Sequence, residues 1–250
     1  MKCLSSAVAG AIALLLLASA GRLYAGVVMA ETSFTKGPNG QISSQDKTVY
    51  VQGNKQRIEL GNVTEITDLD KNVGYIVVKH DRAYTEMPLR APSSSQPDSM
   101  HGDVILKKTG EIRVIANHPC NEYRTVEGNE LEHVTITACV STSAPGAKEL
   151  SGFAHNIVTR LNGRKFERPA ENGQAGLILE KQSVLSFRVP DWSRGRTYRT
   201  ASYVVETRVN KIILQPLPAE TFNPPNGYSK LHDLPPRTEP PDISFLMSSI

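Results

Sequence analysis

The chain has 250 residues, of which 21% are charged and 39% are hydrophobic, a balance that excludes a disordered protein and predicts a globular one with a sizeable core. Its formal net charge is +3, and two of its basic residues, Lys2 and Arg22, lie in a segment that we expect to be removed. The remaining balance is close to neutral without a long run of like charge, so we expect no nucleic-acid partner.

Residues 1–25 have the features of a secretory signal peptide: a positively charged start, an apolar stretch over residues 7–20, and small-residue cleavage motifs that end at Ala20 and Ala25. The apolar stretch is shorter than the roughly 20 residues that span a bilayer. Cys3 precedes this stretch, so it is not the cysteine of a lipoprotein signal. We therefore expect export to the periplasm, or secretion, and not an integral membrane protein. A retained N-terminal anchor is the alternative.

The first part of the mature chain, residues 26–88, predicts an antiparallel meander, because short segments of alternating apolar and polar residues are separated by turn signals such as Gly37–Gly40. The predicted strands are 26–34, 42–51, 55–60, 63–69 and 74–78, and 83–87 is expected to continue the last of them. Residues 91–101 are rich in Ser and Pro and predict a loop.

A β-hairpin is predicted next, with residues 111–126 as one extended limb interrupted near Pro119, residues 127–130 as the turn, and residues 131–140 as the return limb.

Two cysteines remain after signal cleavage, Cys120 and Cys139, and an oxidising compartment favours a disulfide between them. Of two possible hairpin registers, we prefer the one with the longer turn, which places the two cysteines directly opposite each other. A zinc site formed by His118, Cys120, His133 and Cys139 is the alternative, but His-x-Cys on a strand is not a usual structural zinc spacing. We therefore predict no metal.

The clearest helix follows the hairpin. Ser143 is a candidate N-cap, Pro145 suits the first turn, and Gly163 suits a C-terminal cap. One apolar side is expected, consisting of Leu150, Phe153, Ala154, Ile157, Val158 and Leu161. A sheet face is the only large surface that can cover it. Leu150, Phe153, Ile157 and Leu161 are therefore either candidate ligand-binding residues or simply core.

The last region predicts four strands, at 176–180, 183–189, 197–207 and 211–214. Half of the 16 prolines lie from Pro216 onward. Phe222 and Tyr228 could attach the first part of this segment to the domain, whereas residues 231–250 predict a disordered tail.

Together these elements predict an α+β fold, mainly β: a curved antiparallel sheet, or incomplete barrel, with one amphipathic helix on its concave face. Residues 26–230 are expected to form a single domain. Standard nucleophile, nucleotide and metalloprotease motifs are absent from the sequence, so we predict no catalytic residues and no cofactor. A hydrolase stays open as an alternative that requires a cleft in which Ser, His and acidic side chains meet.

Several short motifs occur in the order found in an envelope protein family of bacteria. They are Gly53–Glu59, Asp70–Tyr75, Tyr84–Pro88, Thr109–Glu111, His118–Tyr123, Pro145–Gly146 with Phe153, Pro218–Phe222 and Pro225–Tyr228. In this order the chain resembles domain-of-unknown-function family 4412, which is similar to the periplasmic lipoprotein-carrier (LolA/LolB-like) superfamily. The resemblance implies a half-barrel around a helix that binds acyl chains in its apolar cavity.

Two functional hypotheses follow. The first is a non-enzymatic envelope protein that binds a lipid, a lipidated protein or another apolar ligand. The alternative is a structural or interaction protein without a small-molecule ligand, whose Pro-rich segment Thr221–Ile250 docks an envelope protein partner.

Overall fold

The structure is a computed structural model that describes residues 26–89, 106–160, 170–171, 174–191 and 197–232. Within these residues the fold is mainly β, with one α-helix, α1 (Ala147–Arg160), and a 3₁₀ turn at Ala219–Phe222. The strands are β1 (Gly26–Lys36), β2 (Ile42–Gln52), β3 (Lys55–Leu60), β4 (Val63–Asp68), β5 (Val73–Val78), β6 (Ala83–Pro88), β7 (Lys107–Ile115), β8 (His118–Gly128), β9 (Glu132–Ser141), β10 (Ala170–Glu171), β11 (Gln174–Ala175), β12 (Leu177–Asp191), β13 (Thr197–Gln215) and β14 (Ser229–Leu231).

Twelve of these strands form one open, curved sheet in the order β14-β6-β5-β4-β3-β2-β1-β13-β12-β9-β8-β7, and β10 pairs only with β11. All neighbours are antiparallel except β14, which runs parallel to β6. The long pairing of β1 with β13 joins the N-terminal meander to the second half of the chain. The predicted fold class, a curved sheet with one helix on its concave face, is confirmed.

The N-terminal meander follows the predicted strands closely. Residues 83–88 form a separate strand, β6, because Arg82 takes a left-handed conformation (φ 49°) and turns the chain back along β5. The turn at Gly37–Gly40 is present, with Gly40 at φ 80°.

The prediction of one extended limb over residues 111–126 is wrong. The chain reverses at Ala116 and Asn117, which both have positive φ (48° and 66°), so that β7 and β8 pair as a hairpin in which Ile115 faces His118. Two consecutive left-handed residues are typical of tight hairpin turns. Ala-Asn lacks the glycine that usually signals such a turn, which explains the error.

The four strands predicted near the C-terminus are two long ones, β12 and β13. Each contains an irregularity: β12 between Ile178 and Glu180, and β13 at Asn210, which is the extra residue opposite Ala30 and Glu31. Only the second lies where the sequence indicated a break, since Lys181 and Gln182 pair with β13 without interruption. A bulge bends a strand without ending it, so continuous strands can follow the curved sheet.

Helix α1 begins at Ala147, and the prediction of Ser143 as its N-cap is wrong. The Ser141 hydroxyl instead accepts a hydrogen bond from the Ala144 amide in the loop before the helix, and Gly146 immediately precedes the first turn. The predicted C-cap Gly163 lies outside the described residues, as does the loop predicted at 91–101.

The apolar interior has two parts. The main core lies between α1 and the sheet and includes Val27, Met29, Val49, Val51, Leu69, Ile115, Cys120, Cys139, Leu150, Phe153, Leu177, Leu179 and Val209. The second core consists of Ile66, Val77, Leu217 and Phe222, with Tyr50, Tyr75, Tyr84 and Tyr228 packed against it.

Candidate functional site

A cavity of about 180 Å³ lies between α1 and the concave face of the sheet. The described apolar residues that line it are Met29, Val49, Ile58, Leu60, Leu150, Phe153, Ala154, Leu177, Ile178, Leu179 and Val209. Five polar side chains complete the described lining: Glu31, Lys47, Gln56, Lys181 and Thr207. The site is therefore an apolar pocket with a polar wall on one side.

Strand register explains how β1 and β2 contribute both kinds of residue. Met29 faces Val49, and two residues further along the same pair of strands Glu31 faces Lys47. Residues two apart on a strand point to the same face, so the apolar pair and the charged pair are neighbours on the helix side.

The Glu31 carboxylate and the Lys47 ammonium form an ion pair at 2.5 Å, with side chains only 8% and 11% exposed. Charges placed this far from water lose most of their hydration, so each depends on its partner for compensation. The pair is therefore a fixed polar element in the wall of an otherwise apolar site.

Some of the predicted ligand-binding residues on the helix line this cavity. Leu150 and Phe153 line the cavity, and both belong to the main core. Ile157 is half-buried and packs against the main core. Leu161 lies outside the described residues. The helix therefore closes the core and bounds the cavity with the same side chains.

The cavity is small in comparison with known ligand sites. A cavity of about 150 Å³ accommodates benzene, whereas pockets for drug-sized ligands have volumes of roughly 300–1,000 Å³. The space between α1 and the sheet therefore suits a slender apolar group, such as part of an acyl chain.

An apolar stripe continues from the cavity along the same face of the sheet. Its residues are Val134, Ile136, Leu185, Tyr203 and Val205. Lys181 and Thr207, which line the cavity, face each other, and the next pairs along these strands are Ser183 with Val205 and Leu185 with Tyr203. Four of the five stripe residues are half-buried and Val205 is buried. The apolar surface therefore extends well beyond the cavity itself.

A disulfide joins Cys120 and Cys139, with a Cα–Cα distance of 5.4 Å. The predicted register is wrong, because Cys139 faces Glu122 and Asn121 faces Val140, so the two cysteines lie diagonally across the hairpin. The turn has the expected four residues but lies one residue further along the chain, and in it the Asn129 side chain accepts hydrogen bonds from the Leu131 and Glu132 amides. The zinc alternative is also wrong, since both sulfur atoms are used in the disulfide.

The opposite face of the sheet is covered by the segment that follows β13. Val28, Tyr50, Arg57, Ile66 and Tyr75 face one another in turn across β1 to β5. They alternate with main-core residues, so they lie on the convex face.

The Arg57 guanidinium donates a hydrogen bond to the Thr221 carbonyl at 3.1 Å, which ties the segment after β13 to this face. Burial raises the pKa of Tyr50, and the nearby Glu59 carboxylate raises it further.

The polar wall of the cavity was not predicted from the sequence. A signal was present: Glu31 interrupts the apolar series Val27 and Met29 on β1, and Lys47 interrupts the series Val49 and Val51 on β2. A charged residue at an otherwise apolar alternate position of two adjacent strands indicates a buried pair. Lys181 and Thr207 carry no comparable signal, because their place follows from the pairing of β12 with β13.

Two other features, a membrane-spanning helix and a metal-binding cluster, are not found among the residues that the structure describes. Here no helix combines the length and apolar character needed to cross a bilayer. Nor do His, Cys, Asp and Glu side chains gather in this part of the chain in groups that could hold a metal.

Comparisons with known proteins place the fold beside several solved structures at low similarity. No protein-family model matches the chain, and no curated protein matches it either, so the resemblance to family 4412 stays a prediction. A solved structure of PNGF-II is 12% identical with a TM-score of 0.36, over 82% of this chain and 30% of that one. This chain thus spans less than a third of the length of PNGF-II.

Two further structures match over most of their own length. A LolA superfamily protein from Nitrosomonas europaea is 8% identical with a TM-score of 0.30, over 80% of this chain and 90% of that one. A DUF1329 family protein from Desulfovibrio piger is 7% identical with a TM-score of 0.31, over 86% and 96%. Identities and TM-scores this low carry no argument about function.

Proposed function

We propose that this chain is an exported, non-enzymatic binding protein that holds the apolar part of a lipid or a lipidated protein between α1 and the concave face of the sheet. The observation that carries the proposal is the cavity of about 180 Å³ with apolar walls on both the helix and the sheet. In this proposal Leu150, Phe153, Ile157 and Leu161 are ligand-binding residues on the helix side.

The shape of the apolar surface supports a chain-like ligand. The cavity holds only a short apolar group, but the apolar stripe continues from it along β9, β12 and β13. A flexible acyl chain can place its end in the cavity and follow the stripe with the remainder. Burial of each methylene group contributes about 0.8 kcal/mol, so even a partly buried chain binds appreciably.

The expected compartment also supports the proposal. A disulfide persists in oxidising environments outside the cytoplasm, and the first 25 residues read as a secretory signal. Lipids and lipidated proteins that cross an aqueous compartment need a protein to cover their apolar parts.

The chemistry of the lining favours binding over catalysis. Ser, Cys and His are absent from the described residues that line the cavity. A nucleophile with an adjacent base is the usual requirement of a hydrolase.

The test is to purify the full mature protein from the periplasm of an expressing bacterium and to identify bound amphiphiles by solvent extraction and mass spectrometry. Binding of a fluorescent fatty acid is measured on the delipidated protein. We expect a co-purifying amphiphile and saturable binding of the fatty acid. A protein that carries no amphiphile and binds no fatty acid would overturn the proposal.

Two variants that fill the cavity link binding to this site. Ala154→Leu and Ile58→Phe each add volume to a lining position, so the fluorescent fatty acid should bind at least about tenfold more weakly. Overpacking costs typically 1–3 kcal/mol, so thermal unfolding must show that both variants are folded. Gly152→Ala is the matched control, because a methyl group at this helix position contacts nothing. Unchanged binding by both folded variants would place the ligand elsewhere.

A further inference from the structure

The polar wall of the cavity is rich in hydrogen-bond donors. Lys47 and Lys181 each present an ammonium group, Gln56 an amide and Thr207 a hydroxyl, whereas Glu31 presents the one carboxylate of the described lining. An ammonium group has three N–H donors, so a lysine that already has a partner can still donate to a ligand. The Thr207 hydroxyl is already hydrogen-bonded to the Ser33 hydroxyl at 3.0 Å, but the two ammonium groups can only donate, so the wall suits a ligand group that accepts hydrogen bonds from the lysines.

The two lysines flank the centre of the sheet. Lys47 lies on β2 opposite Glu31 of β1, and Lys181 lies on β12 opposite Thr207 of β13. The order β2-β1-β13-β12 thus places the carboxylate and the hydroxyl between the two ammonium groups. Lys47 and Lys181 are three strand spacings apart, roughly 14 Å, and Lys181 lies opposite Thr207, two residues along β13 from Val209, which faces Glu31. Both side chains must therefore extend toward the centre to contact one group above β1 and β13.

We infer that the ligand of this cavity carries an anionic head group, a carboxylate or a phosphate, that the ammonium groups of Lys47 and Lys181 hold while the apolar chain enters the pocket. This inference rests on the proposed function and names the class of its ligand: an anionic single-chain amphiphile. Glu31 acts as a positioning residue, because its ion pair at 2.5 Å fixes the ammonium group of Lys47 at the wall.

The hydrogen-bond donors of the wall favour an anion over a cation. Glu31 is already neutralised by Lys47, so a cationic ligand would meet no uncompensated carboxylate among the described lining residues. An anion, in contrast, would form charge-assisted hydrogen bonds, which are roughly twice as strong as those between neutral groups. The partly buried setting strengthens such contacts relative to those at an open surface.

The experiment compares ligands that share a chain and differ in the head group. Binding of dodecanoate, dodecyl phosphate and 1-dodecanol to the delipidated mature protein is measured by calorimetry, with inorganic phosphate and acetate as ligands that lack a chain. We expect both anionic amphiphiles to bind at least about tenfold more tightly than the alcohol. The two ligands without a chain should not bind measurably.

Lys181→Met tests the head-group contact itself. This variant should bind dodecanoate about tenfold more weakly and bind 1-dodecanol with unchanged affinity. Lys181→Arg should retain most of the preference for dodecanoate over 1-dodecanol. Lys148→Met is the control, because Lys148 is an exposed residue of α1 outside the described lining. This variant should bind both ligands with unchanged affinity.

The outcomes separate this inference from the proposed function. Equal affinities for dodecanoate and 1-dodecanol, or an equal loss of both in Lys181→Met, would overturn the anionic head group and leave the apolar site in place. Tight binding of inorganic phosphate alone would overturn it as well, since the site would then recognise a free ion. No binding of any chain ligand would instead reject the proposed function.

Discussion

Glu31 and Lys47 are charged residues at positions where the alternation of β1 and β2 places apolar side chains. On the helix side of the sheet, next to Met29 and Val49, Glu31 is buried and the Lys47 side chain is only 11% exposed. A buried ion pair contributes little net stability, because the lost hydration of both charges offsets their attraction. Net stability alone therefore does not account for the pair in the cavity wall.

Removal of one partner of this pair should be costly. Glu31→Met leaves the Lys47 ammonium buried without its carboxylate, so the free energy of unfolding should fall by about 3 kcal/mol. The double variant Glu31→Met with Lys47→Met removes both charges and should recover most of this loss. Urea denaturation of the three proteins gives the coupling energy.

The exposed pair of Glu86 and Lys230 is the control, and Glu86→Met should change stability little because water screens the pair. A Glu31→Met protein as stable as the wild type would show that Lys47 reaches water.

At the level of single elements, α1 shows how two glycines in one helical region have opposite roles. Gly146 precedes the helix at φ 76°, and an added methyl group would lie 2.6 Å from Val27. Gly152 lies in an exposed turn of the helix, where a methyl group would contact nothing within 4 Å. The first glycine is required by the close approach of the loop to β1, whereas the second only weakens the helix.

Gly152→Ala should therefore raise the free energy of unfolding by about 0.5–1 kcal/mol, because alanine loses less conformational freedom in a helix. Gly146→Ala should lower it, through both the strained backbone and the clash with Val27. Thermal unfolding of the two variants side by side checks the contrast, and a stabilised Gly146→Ala would contradict the described start of α1.

The hairpin of β8 and β9 is held by the disulfide across it. Closing a loop of this length should stabilise the protein by about 3 kcal/mol in the chain-entropy account. Cys120→Ala and Cys139→Ala should each lose at least this amount, because either variant removes the disulfide and both cysteines also belong to the main core. A reducing agent should destabilise the wild type and leave both variants unaffected; a wild type insensitive to reduction while unfolding would contradict the expected contribution.

In the whole molecule, both faces of one sheet are covered, but by different parts of the chain. Helix α1 covers the concave face over the main core, and the segment after β13 covers the convex face over the second core. Phe222 is 2% exposed, and the Arg82 guanidinium lies 5.9 Å from the ring centre of Tyr228. The segment thus acts as a cover for the meander.

Phe222→Ala should lower the free energy of unfolding by about 3 kcal/mol, since it leaves a cavity against Ile66 and Val77. Because this core lies on the face opposite the ligand site, binding of the fluorescent fatty acid should be unchanged at temperatures where the variant is folded. Denaturation and binding measured on the same sample check both parts. A loss of binding in the folded variant would show that the two faces are coupled.

Local sequence patterns were sufficient to predict the strands and the helix of this fold. They were insufficient to predict some of its turns and bulges. Alternation placed β1 to β6 within a few residues, and the apolar periodicity placed α1. The turn at Ala116 and Asn117 escaped prediction because their left-handed conformation is imposed by pairing and not by glycine. The bulge at Asn210 was not predicted either. A bulge and the end of a strand both interrupt the alternation of apolar and polar residues, so the sequence does not distinguish them.

The amino-acid sequence by itself determined the mainly β architecture, the amphipathic helix and the pair of cysteines, because each depends on residue type and on short-range spacing. Only the tertiary structure decided the register of the disulfide and the polar wall of the cavity. Glu31 and Lys47 meet on the consecutive strands β1 and β2, but Thr207 and Lys181 join them only because β1 pairs with β13 and β13 with β12. Contacts between strands so distant in sequence depend on the closure of long loops, which no local pattern encodes.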